Sequence, residues 1–148
     1  MSDAIPFTTS DAWLLLSIAI AAGDRDAPLS SVIAVGDGIN HAIFTPQELR
    51  RGTAKLLAGE FIRYEGGRYS LTDAGQGLYD RTVGPVLSRW RQLNEFLGAG
   101  RGPTDDPGFE DERFPFPALS DGEIQSAVRE YLGTGHVTGT PEGRGGGA

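Results

Sequence analysis

Residues 45–79 read TPQELRRGTAKLLAGEFIRYEGGRYSLTDAGQGLY, and their local signals fall in an order that few folds require. Thr45, Pro46 and Glu48 form a helix start: a side-chain cap, a proline where no amide donor is needed, and a glutamate that reaches back to the cap. Phe44 and Leu49 stand where a hydrophobic staple would close over that start. The helix is expected to stop at Gly59 in the left-handed closing conformation, after which Phe61 opens an extended segment. The runs FIRYE and RYSLT flank Gly66 and Gly67, which can supply the positive φ angles of a tight primed hairpin turn. Thr72 then caps another helix. The predicted order is helix, tight turn, two-stranded hairpin, helix.

That order is the second half of a winged helix-turn-helix domain. LLAGEFI, RYSL and LTDAG resemble the end of the recognition helix, the second wing strand and the following helix in bacterial winged-helix regulators of the MarR and PadR type. The resemblance spans roughly Ser10 to Val83, about half the chain. It implies a mainly α fold with a small two-stranded β wing, and a DNA-binding transcription regulator that works as a homodimer. A winged helix can also serve as a protein–protein interaction module without DNA binding, and that alternative stays open.

Working outward, residues 12–22 are apolar except for Ser17 and end at Gly23, well short of the ~20 residues that cross a bilayer. They read as a buried first helix, with no membrane partner. A second helix begins near Pro28 and reaches about Asn40, with Leu29, Val32, Ile33, Gly36, Ile39 and Ile43 on one face. Gly36 and Gly38 predict a kink or break in it. The acidic N-terminus MSDAIPFTTSDAW does not read as a secretory signal, and the absence of cysteine fits a reducing cytoplasm.

In the third helix, Leu49, Thr53, Leu56 and Leu57 form the apolar face. The opposite face carries Gln47, Arg51, Ala54 and Lys55, with Arg50 at the border. Arg51 and Lys55 are like charges one turn apart, an unfavourable placement unless something anionic lies opposite. If the ligand is double-stranded DNA, Gln47, Arg50, Arg51 and Lys55 are the candidate contacts from this helix, joined by Arg63 and Arg68 on the hairpin. The competing reading is an ordinary solvated face and a polar, protruding hairpin. The formal charge of −7 divides as −2 over residues 1–97, with nine cations against eleven acids, and −5 over residues 98–148, with four against nine. Around helix three the balance is only +2, which permits phosphate contact without announcing it.

After Thr72, the helix meets Gly84 and Pro85 and must kink or restart. Tyr79, Val83, Val86, Trp90, Leu93 and Leu97 alternate four-and-three spacings across that break. The seam faces something apolar, either a second copy in a homodimer or the chain's own domain. Residues 1–97 thus form the domain with its helical extension, 98–119 an acidic Pro/Gly-rich linker, 120–133 a docking helix, and 134–148 a disordered tail. The docking helix opens on a Ser120/Glu123 capping box and carries a stripe of Ile124, Ala127, Val128, Tyr131 and Leu132. Between Asp105 and Glu112 lie five acidic residues and no basic one, with Phe109, Phe114 and Phe116 as apolar anchors. This strip either masks the basic face or packs the last helix against the core.

Enzymatic chemistry has little support. The histidines are His41 and His136. Asp37 and His41 are spaced to share a metal on one helix face, yet a third ligand is not evident, so no cofactor or metal is expected. No phosphate-binding glycine loop or nucleophile elbow is present.

Overall fold

A computed structural model of the chain describes residues 5–99 and 119–138. Among them are six helices, which dominate, and one small three-stranded antiparallel sheet. Helix α1 (Thr9–Ala22) is the centre of the molecule. Thr8 caps it by accepting from the Asp11 amide at 3.3 Å, and the Asp11 carboxylate accepts from the Thr8 amide at 2.8 Å. That reciprocal box fixes where α1 begins, and residues 11–19 are all buried. A helix apolar on every side has to be enclosed, and α2, α3, α4, α5 and the sheet pack around it.

The strand β1 is only Ala27–Pro28 and carries no strand signal in the sequence. It pairs with β3 (Arg68–Leu71), which also pairs with β2 (Ile62–Glu65), giving the order β1-β3-β2. The predicted two-stranded hairpin is β2–β3, and β1 adds a third strand that the sequence does not announce. Proline is tolerated in β1 because an edge strand leaves one side of its backbone unpaired. Pro28 also stands at the N-cap of α2 (Leu29–Asn40). This helix runs unbroken through Gly36 and Gly38, so the expected break is absent. Gly36 is small for a packing reason: a Cβ there would come within 2.4 Å of the Phe44 ring. Phe44 stacks on Trp13 at 3.8 Å, and the Trp13 indole donates to the Gly36 carbonyl at 3.0 Å.

Helix α3 (Pro46–Ala58) has the predicted box, with Thr45 accepting from the Glu48 amide at 3.1 Å and the Glu48 carboxylate accepting from the Thr45 amide at 2.9 Å. Its end differs from expectation. Gly59 keeps right-handed angles, and the left-handed residue is Glu60, with φ 64°. The hairpin turn does use Gly66 and Gly67 at φ 58° and 78°. Helix α4 (Asp73–Asp80) starts on the Thr72 cap, and α5 (Val86–Leu97) restarts after Gly84 and Pro85. The corner between them is tied down by α5: Arg89 donates to the carbonyls of Thr82 and Gly84, and the Gln92 carboxamide bonds both the N–H and the C=O of Val83.

Helix α6 (Asp121–Thr138) opens on the Ser120/Glu123 box and continues past Gly133, the expected end of the docking helix. It packs chiefly on α2, burying Ile124 and Ala127, and Leu119 just ahead of it is also buried. The acidic strip from Asp105 to Glu112, Phe109, Phe114, Phe116 and the end of the tail lie outside the described residues.

Candidate functional site

The six cationic or amide positions expected to face a ligand do not form one surface. Lys55 is wholly buried: its ammonium lies 2.7 Å from the Asp11 carboxylate and donates to the Pro6 carbonyl at 2.8 Å. The anion needed opposite the Arg51/Lys55 face is thus supplied from within the chain, by the acid that also caps α1. Arg51 is 3% exposed, and every residue from Arg51 to Leu56 is buried. The assignment of Arg51 and Lys55 to a solvent face is therefore corrected. Helical periodicity locates a face, but what covers it is decided by segments distant in sequence.

The remaining positions are distributed differently. Gln47 is half-buried on α3. Arg50 pairs with Asp121 in the first turn of α6. Arg68 donates to Asp26 at 2.8 Å, and Arg63 donates to the Leu71 carbonyl at 3.1 Å, both exposed on the hairpin. Both acids, Asp26 and Asp121, escaped the sequence reading. The signal for Asp121 was present, since it immediately follows a predicted cap, but its partner lies far back in the chain.

The expected seam is divided as well. Leu93 is fully buried, and the half-buried Trp90 indole donates to the Thr9 carbonyl at 3.1 Å, so both pack within the chain against α1. Tyr79 and Leu97 are partly buried against the same core. This removes Trp90 and Leu93 from a surface that a second copy could use. Val83, at 66% exposure, and Val86, at 38%, stay outside together with Leu87.

What the fold does assemble is a face bounded by α2, Arg50 of α3, the hairpin and α6. Asp121 holds Arg50 at one end of α6, and the Tyr131 hydroxyl donates to Asp37 on α2 at 2.6 Å farther along. Asp37 is thereby engaged by a tyrosine, and among the described residues no group of three metal-ligating side chains gathers. Beside α6 lies an open cleft of about 660 Å³, lined by Leu29, Tyr64, Gly67, Leu119, Glu123 and Ala127 among others.

Glu123 acts on the tyrosines of this face. Burial raises the Tyr64 hydroxyl above its ordinary value, and the nearby Glu123 carboxylate raises it further. Tyr69, whose hydroxyl shares a 2.9 Å hydrogen bond with Thr53, is pushed far up, first by burial and then by Tyr64 and Glu123, while the Thr53 bond pulls it partly back. The hydrogen bond to Asp37 raises Tyr131. Chemically the cleft offers apolar contact edged by Glu123, Arg129 and Glu130, one acid in excess of the cations. Among the described residues, no helix is long and apolar enough to cross a membrane. Compared with protein-family models, characterised proteins and solved structures, the chain matches none.

Proposed function

We propose that this chain is a winged helix-turn-helix module that acts by binding another protein. The order of elements supports the winged-helix reading: a helix, a short strand, two helices and a hairpin, with the first strand beside the last. In that reading α3 is the recognition helix and β2–β3 the wing.

The observation that carries the choice of partner is the fate of the α3 cations. A protein held on DNA neutralises phosphates with available Lys and Arg side chains. Lys55 is spent on Asp11 inside the molecule, Arg51 is buried, and Arg50 is paired with Asp121. Arg68 on the hairpin meets Asp26 in a pair about half exposed on both sides, and Arg63 beside it stays exposed. The cleft itself offers Leu29, Tyr64, Leu119 and Ala127 as apolar surface, and in its lining Glu123 and Glu130 outnumber Arg129.

Titration of random-sequence duplex DNA into the full chain at several salt concentrations tests the proposal. The expected result is binding no tighter than about 100 μM, with no linear dependence of log affinity on log salt. A salt slope of about −0.9 for each phosphate contacted would overturn it and reinstate DNA-binding transcription regulation.

A further inference from the structure

We propose that α6 is a tethered stand-in for a partner's helix. The groove between α2, Arg50 of α3 and the hairpin receives an amphipathic helix with an acidic first turn, and α6 leaves when such a helix binds. This inference rests on the protein-contact reading above and names the class of partner.

The seated helix shows what the groove accepts. Ile124, Ala127, Val128 and Tyr131 follow the i, i+3, i+4, i+7 pattern by which a helix lays its apolar side into a groove. Ile124 and Ala127 are buried there, and Val128 and Tyr131 are half-buried. Leu132 lies outside the contact, half exposed. Charge complementarity fixes the direction of the seated helix: the acid in its first turn meets Arg50 of α3. The Asp121 side chain is 68% exposed, and a pair so open to water sets register more than it holds.

Two features mark α6 as displaceable. First, it underfills its seat. Its central buried position is Ala127, the smallest side chain of the stripe, and Ala127 borders the 660 Å³ cleft together with Leu29, Tyr64 and Gly67. A helix with a larger apolar residue there gains contacts that α6 does not make. Second, its share of the core is small: among the described residues, α6 and the turn before it add Leu119, Ile124 and Ala127 to the buried cluster. The buried helix α1 is enclosed by α2 to α5 and the sheet, whereas α6 packs chiefly on the outside of α2.

Because α6 belongs to the same chain, it competes for its seat intramolecularly. An incoming helix therefore has to bind better than α6 itself, and filling the cleft is the available route. This intramolecular competition admits partners with a bulkier central residue and excludes weak ones.

The probe is a synthetic peptide of residues 119–138, made with the natural sequence and with Ala127→Leu, and titrated calorimetrically into the full chain. Wild-type protein keeps its own α6 seated, so the natural peptide should bind it at least tenfold more weakly than it binds the full-chain Ile124→Asp variant, whose own helix is expelled. The Ala127→Leu peptide should bind that variant at least threefold more tightly than the natural one. A folded Ile124→Asp protein with no gain in peptide affinity overturns the proposal.

Should that variant not fold, native-state hydrogen exchange on the wild-type chain decides. Amides of α6 exchanging at least a hundredfold faster than those of α1 support a helix that detaches by itself, and equal protection overturns it. The same variant separates this proposal from its premise. If Ile124→Asp gains salt-dependent DNA binding, the protein-contact reading fails and α6 covers a nucleic-acid face. If it binds neither DNA nor peptide, only the groove assignment fails.

Discussion

Lys55 illustrates how one side chain decides between two readings of a helix. Its ammonium and the Asp11 carboxylate are 2.7 Å apart, and neither side chain is exposed. The interaction has to offset the removal of two charges from water, and a buried pair is strongly destabilising to break because the surviving charge is left alone. Lys55→Ala should therefore destabilise the fold by about 3–5 kcal/mol in urea denaturation followed by far-UV circular dichroism. Replacing both partners, Lys55→Met with Asp11→Leu, should recover most of that loss. The double variant still lacks the carboxylate that accepts from the Thr8 amide, a cap worth about 1 kcal/mol. A loss under about 1 kcal/mol for Lys55→Ala would place this lysine back on the solvent face that helical periodicity assigns to it. In the folded molecule the side chain joins α3 to the start of α1, so its energetic role is structural.

Among the elements, α4 depends most visibly on a close approach. A Cβ at Gly75 would sit 2.0 Å from the Phe61 carbonyl oxygen, and that oxygen already accepts from the Thr72 amide at 3.1 Å. Gly77, two residues later, faces open space. Gly75→Ala should cost about 3 kcal/mol, because backbone must move. Gly77→Ala should stabilise by up to about 1 kcal/mol through helix propensity. Thermal midpoints of the two variants shifting in the same direction would contradict this contrast. The glycine pair also shows what was legible in the sequence. The Thr45 and Ser120 boxes and the Gly66-Gly67 turn were readable because each is settled within a few residues. The strand β1 was not, since Ala27 and Pro28 become a strand only by pairing with Tyr69 and Arg68, far along the chain. Gly59 signalled a left-handed end, yet the Phe61 amide bonds the Leu56 carbonyl and the turn places Glu60 in that conformation. The candidate site was the least legible part. Arg50 and Tyr131 were visible as residue types, but Asp121 and Asp37 acquire their meaning only when α6 folds back over α2 and α3.

For the whole molecule, three tyrosines link stability to alkaline pH. Burial raises Tyr64 and Tyr69, with Glu123 adding to both, and the bond to Asp37 raises Tyr131. A folded pKa above the unfolded value means the folded state holds these protons more tightly. The associated stability is complete below about pH 10, where all three are neutral in either state, and is lost as pH rises through the folded values. Urea midpoints should stay level with respect to these tyrosines up to about pH 9 and fall above about pH 10; a midpoint that rises between about pH 10 and 11 would contradict the assignment. Tyr131 bridges α6 to α2, whereas Tyr69 lies in the main core, so alkali acts on both parts of the molecule. The placement of the two indoles has a spectroscopic consequence. Trp13 and Trp90 are the chain's two tryptophans, and their rings are 6.1 Å apart across the α1–α5 contact, with none in α6. Intrinsic emission and exciton-coupled bands in the near ultraviolet therefore report on that central joint, a built-in optical gauge that stays dark to the departure of the last helix.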